Sequence, residues 1–237
     1  MSDLIHFFIA PYEAAAWYNI LLELLAAIFG VISVFYARKE NILVFPTGII
    51  STGIYVYLLS QWNLYGDLII NVYYTLMSIY GWYQWHKAVD DNNTHIVISR
   101  TNVADKLKAI GIFIFTSIFV ILVYRHFDVM PNKLGFSESV DYALKKLTSG
   151  NLTDFRMATP FLDTFTTGVF FSAMWLMANK KIENWTLWIA GNIVSIPLYF
   201  VKGYGFTGIQ YSIFLVLAIM GYFSWRKIIE NQKQVDA

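Results

Sequence analysis

Residues 180–192 read KKIENWTLWIAGN, and residues 37–48 read ARKENILVFPTG. Laid over each other at an offset of 143, they bring Glu40-Asn41 onto Glu183-Asn184 and Gly48 onto Gly191. Beyond the next loop, three residues shorter in the second copy, the offset becomes 140, and GWYQWHK at 81–87 matches GYFSWRK at 221–227. Leu22-Glu23 likewise meets Leu162-Asp163. Gly and Trp recur in many membrane helices, but the ordered set Glu-Asn, Gly, then Gly-x-x-x-Trp-x-Lys marks an internal repeat.

Composition decides what is repeated. The 237 residues are 57% hydrophobic and 14% charged, against about a quarter charged in soluble domains, and mean hydropathy is +0.50. Seven stretches are long and apolar enough to span a bilayer as helices: Trp17–Ala37, Ile42–Ser60, Asp67–Trp85, Leu107–Tyr124, Phe161–Ala178, Trp185–Val201 and Phe206–Trp225. They lack the strict alternation of barrel strands. The sequence therefore predicts an all-α integral membrane protein. Each copy holds three spans and the fourth stands between them, a 3+1+3 order. Three crossings reverse the direction of the chain, and one extra crossing restores it. The two units are then expected to be parallel, with a site at their interface near mid-membrane, as in parallel-repeat transporters.

The expected divisions are an interfacial segment at 1–16 and a first repeat at 17–87. A cytoplasmic loop at 88–106, a linker span at 107–125 and an extracytoplasmic loop at 126–160 follow. A second repeat at 161–227 and a tail at 228–237 complete the chain. Within 131–156, Glu138, Asp141, Lys145 and Lys146 surround Val140 and Leu144, a pattern for a short surface helix. Alternate loops carry eleven and six Lys plus Arg, so the basic-rich side is expected to be cytoplasmic, the N-terminus outside and the C-terminus inside.

Polar side chains in hydrocarbon are costly and turn toward a bundle interior or a cavity. Trp185, Trp188, Asn192, Ser195 and Tyr199 form one helical stripe of span six. Asn71, Tyr74, Ser78, Trp82 and Trp85 form one on span three. Tyr211, Phe214, Ala218, Tyr222 and Trp225 form one on span seven, with Gln210 beside it. At the 143 offset, Trp185, Trp188 and Asn192 correspond to Ile42, Phe45 and Ile49, so polarity is concentrated in the second copy. Trp and Tyr faces hold cations or planar rings, and amides serve hydroxyl and carboxamide groups. Glu23, Asp67, Asp163 and Glu183 fall near span ends and do not read as mid-span counter-ions. The pattern points to a small aromatic or cationic solute bearing hydroxyls. Interface anchoring by Trp185 and Trp225, and interhelical hydrogen bonding by Asn71 and Asn192, are the structural alternatives. Pro197 within span six, and Pro46 at the start of span two, fit kinked or broken helices lining a cavity.

Several chemistries lack their motifs. There is no cysteine, no G-x-x-x-x-G-K-[ST], no H-E-x-x-H and no G-x-S-x-G. The histidines are scattered, and a net charge of +1 offers no field for nucleic acid. No metal site, cofactor or enzymatic activity is expected. The expected partners are a small-molecule substrate, membrane lipid and, as for many small multi-span transporters, further copies of the chain.

The 3+1+3 repeat, the Glu183-Asn184-Trp185-x-x-Trp188 element and the Gly-x-x-x-Trp endings of spans three and seven together resemble the PnuC family. The resemblance covers about Trp17–Lys227. It implies a fold similar to the SWEET sugar transporters and uptake of nicotinamide riboside across the bacterial inner membrane by facilitated diffusion. Cytoplasmic phosphorylation would trap the product. It also implies that Trp185, Trp188 and Asn192 line the ligand site. The stripes add Asn71, Tyr74, Ser78, Gln210 and Tyr211. Thiamine or another vitamin, or a monosaccharide as in SWEET carriers, remains an alternative substrate.

Overall fold

The computed structural model describes residues 16–61, 65–90, 97–131 and 133–235. Among them are eight α-helices: α1 (Trp17–Arg38), α2 (Val44–Gln61), α3 (Tyr65–Asp90), α4 (Val103–His126), α5 (Phe136–Thr148), α6 (Leu152–Ala178), α7 (Glu183–Lys202) and α8 (Gly205–Val235). Each expected span falls on one of them, and the expected surface helix is α5. The interfacial segment 1–16 lies, Ala16 apart, outside the described residues. Helix α6 starts nine residues before its expected span, and α8 continues through most of the expected tail, to Val235.

Local chemistry sets the ends. Asn102 caps α4 by accepting from the Asp105 N–H at 2.8 Å, while its own N–H donates to the Asp105 carboxylate at 3.1 Å. The Asn151 side chain accepts from the Thr153 N–H at the start of α6. Gly203 ends α7 in the left-handed region, φ 89°, where a Cβ would be strained. Helix α7 runs unbroken through Pro197.

Helices α1, α4, α6 and α8 are each long and apolar enough to cross a membrane by length and composition. In α2, α3 and α7 the apolar run is diluted by Ser51, Thr52, Asp67, Asn71, Asn192 and Ser195, all but Ser195 of which line the cavity described below. Helices α1, α2 and α3 pack in series, as do α6, α7 and α8; α1 also meets α8, and α3 meets α6. Both α4 and α5 lie against α6. Two-thirds of the apolar window of α6 is consequently buried, against about a tenth of that of α1.

Backbone geometry corrects the register of the repeat. Glu40 and Lys180, 140 residues apart, both adopt left-handed φ, at 56° and 50°. The Asn41 N–H donates to Tyr36 O and the Lys181 N–H to Leu176 O, again 140 apart. The ring of Phe45 stands where a Cβ on Gly81 would fall, and the Trp185 indole lies 2.7 Å from where a Cβ on Gly221 would be. The turn and the aromatic-on-glycine contact therefore set one offset of 140 throughout. The Glu-Asn match at 143 is a coincidence of sequence. The counterparts of Trp185, Trp188 and Asn192 are Phe45, Gly48 and Thr52 rather than Ile42, Phe45 and Ile49.

Both sets of helices are tied together at one end. Trp85 Nε1 donates to Ala178 O at 3.1 Å and Trp225 Nε1 to Ala37 O at 3.0 Å, each from the last helix of one set to the first helix of the other. Lys180 meets Glu40 at 2.6 Å and lies over the Trp85 ring at 4.6 Å. Phe45, Trp85, Trp185 and Trp225 form the centre of a buried core there.

Candidate ligand cavity

Behind that sealed end lies a cavity of about 360 Å³ between the two sets of helices, within the size range of small-molecule sites. All eight residues named from sequence line it: Asn71, Tyr74, Ser78, Trp185, Trp188, Asn192, Gln210 and Tyr211. The three-residue and four-residue steps that built the stripes place these side chains on the inner faces of α3, α7 and α8.

Two of them carry unmet hydrogen-bonding capacity. Asn192 is 2% exposed and its Oδ1 has no protein partner. Trp185 is 1% exposed and its Nε1 has none. Burying such a group without a partner costs on the order of 1–3 kcal/mol, and these two, an acceptor and a donor, both belong to residues that line the cavity. The burial of Trp185 and Trp225 removes the reading of either as an interface anchor. Asn71 donates to Asp67 O at 2.9 Å on its own helix, and not to a neighbouring one. Trp82 is 42% exposed and leaves its stripe, because Gly81, one residue earlier, takes the inward position under Phe45.

Aromatic rings make the second wall. Phe170 stacks on Trp188 at 5.2 Å and on Tyr211 at 6.0 Å, and Tyr211 stacks on Tyr199 at 4.9 Å. Tyr74 tilts toward Trp188 at 6.3 Å. Phe170 fits only because residue 191 is glycine, where a Cβ would run into its ring. The sequence stripes missed Phe170, since it belongs to a run of apolar residues on α6 that nothing local distinguishes from core.

The carboxylates differ most from expectation. Glu23, Asp67 and Asp163 line the same cavity, away from its indole-sealed end, and among the described residues the lining contains no Lys, Arg or His. Lys202 holds Asp163 at 2.6 Å, and the Tyr124 hydroxyl reaches Asp163 at 3.5 Å. Being near a span end does not exclude a side chain from a cavity that runs along the helices. The match of Glu23 with Asp163 in the repeat was the signal that carried this. Glu183 serves structure, accepting from the Thr101 N–H at 2.9 Å. No group of His, Asp and Glu suited to a metal occurs among the described residues.

Comparison with known proteins agrees with the fold. The family model described as nicotinamide mononucleotide transporter matches residues 20–227. A nicotinamide riboside transporter PnuC of Escherichia coli is 23% identical over 86% of this chain and 84% of its own length. A riboflavin/roseoflavin transporter RibM of Streptomyces davaonensis is 21% identical over 86% and 83%. A crystal structure of a vitamin B3 transporter PnuC superposes with a TM-score of 0.61 at 22% identity, covering 94% of this chain and 86% of that one.

Proposed function

The chain belongs to the nicotinamide mononucleotide transporter family, a family of membrane transporters rather than enzymes, and on that premise we propose that it carries nicotinamide riboside. The observation that carries this reading is the pairing of unpartnered Asn192 Oδ1 and Trp185 Nε1 with an aromatic wall and three carboxylates in one cavity. The nicotinamide ring of the riboside is a planar cation, which aromatic faces attract by up to about 2 kcal/mol once desolvated. Its carboxamide and ribose hydroxyls supply the partners that Asn192 Oδ1 and Trp185 Nε1 lack. Glu23 and Asp67, with Asp163 already paired to Lys202, favour a positive solute. A riboflavin-like flavin is the second reading, since the Streptomyces relative is named for one. Its ring suits the aromatic wall, but a carboxylate-bearing lining favours a cation over a neutral solute.

In this reading seven helices, all but α5, cross the bacterial inner membrane as two parallel units joined by α4. The excess of Lys and Arg in the loops at the indole-sealed end favours a cytoplasmic position for that end and an outside position for the carboxylate-lined end, with the N-terminus outside and the C-terminus inside. The solute enters past the carboxylates and rests against Trp188. It leaves once the seal formed by Trp85, Trp225 and the Lys180–Glu40 pair opens. Transport is downhill, and phosphorylation in the cytoplasm draws it inward.

Titration calorimetry of the purified protein against nicotinamide riboside, thiamine, riboflavin and a monosaccharide tests the assignment. Nicotinamide riboside is expected to bind at least tenfold tighter than the others. Preference for riboflavin, or binding of none, overturns it.

A further inference from the structure

Helix α5 is the one described helix that the transport reading leaves without a role. At about 100° per residue, its thirteen residues divide into three arcs. One arc docks on α6: Ala143 is buried, Tyr142 stands 5.9 Å from Phe161, and Lys146 pairs with Asp154 at 2.6 Å. Beside it, Phe136, Val140 and Leu144, spaced i, i+4 and i+8, are 84%, 41% and 54% exposed. The remaining arc presents Ser137, Glu138, Asp141 and Lys145. Protein, an apolar surface and water thus each claim one arc.

We propose that α5 lies in the plane of the membrane surface with Phe136, Val140 and Leu144 among lipid acyl chains. Continuity with the lipid-facing side of α4 is the first argument. Helix α4 is apolar and almost wholly unburied, and its exposed side ends in Leu122, followed by Phe127 and Val129. Arg125, in its last turn, donates to Leu134 O at 2.7 Å, which holds the start of α5 beside that end. Size is the second argument. Three side chains fall short of the roughly 800 Å² per partner that a stable protein interface needs, whereas an interfacial helix is held by a narrow apolar face with a polar face beside it. The connection between α4 and α6 is thereby pinned flat against the bilayer, independently of which solute the cavity takes.

The absence of cysteine makes the test direct. Single variants Val140→Cys, Leu144→Cys and Asp141→Cys, each spin-labelled in the full chain, are placed in lipid nanodiscs. Collision with oxygen, which partitions into lipid, is compared with collision with a water-soluble nickel chelate. Labels at 140 and 144 are expected to favour oxygen by at least threefold relative to the label at 141. Equal nickel exposure at 140, 144 and 141 overturns the proposal. So does spin–spin broadening at 140 that vanishes on dilution with unlabelled protein, which would assign the face to a second copy.

Discussion

Helices α1–α3 and α6–α8 share a skeleton and differ in what they present to the cavity. Positions 140 residues apart do the same structural work: Glu40 and Lys180 turn the chain, Phe45 and Trp185 seat on Gly81 and Gly221, and Trp85 and Trp225 cross to the opposite set. Where the wall faces the ligand space, the pairs diverge. Gly30 and Ser51 occupy the places of Phe170 and Gly191, so the bulky partner is simply missing from the first set. Gly48 and Thr52 stand where the second set has Trp188 and Asn192. The repeated scaffold shares the residues that hold its backbone and differs in those that line its cavity.

The largest effect expected from this division is on binding. Asn192→Ala should weaken nicotinamide riboside by about 10- to 100-fold, the cost of leaving one buried polar group of the ligand unmet. Thr52→Ala, at the equivalent place, should stay within about threefold, because Thr52 already bonds Thr75 and its own helix. Calorimetry on both variants measures the contrast, and equal losses would dissolve it.

Next comes packing. Gly191→Ala should cost about 1–3 kcal/mol in thermal stability by expelling the Phe170 ring. Gly30→Ala should cost less, since its nearest neighbour is the Ser51 hydroxyl at 3.1 Å, a single rotatable atom. Trp85→Phe and Trp225→Phe test the shared part of the scaffold. Each keeps a ring and loses one hydrogen bond, so each should lower stability by about 1 kcal/mol, and by similar amounts. A clear inequality in melting of the two variants would show that the interlock is not symmetric. Smallest of all, Lys180→Ala should cost under about 1 kcal/mol, as expected for a partly solvated ion pair, with the effect shrinking in high salt.

Much of this was legible in the chain. The positions of the apolar runs predicted all seven long helices to within a few residues at most ends, because twenty apolar residues admit few other structures. The inner faces of α3, α7 and α8 followed from helical periodicity, since polar groups in such helices turn away from lipid. Three things did not follow. The register of the repeat rests on a left-handed turn residue, and Glu40 and Lys180 have unrelated side chains at that shared backbone position. The place of Glu23, Asp67 and Asp163 in the cavity did not follow, because distance along a helix does not report depth in a cavity. Phe170 was hidden because an aromatic residue in an apolar helix reads identically whether it faces core, lipid or ligand.

The sequence by itself determined that the chain is helical, membrane-embedded, internally repeated and richer in polar aromatic groups in its second half, because hydropathy and periodicity are local properties. Only the tertiary structure decided which residues share one cavity, which of their polar atoms go unmet, and that Phe45 rather than Ile42 is the partner of Trp185. Those depend on the packing of helices far apart in the chain, where a single glycine on one helix sets the place of a ring on another.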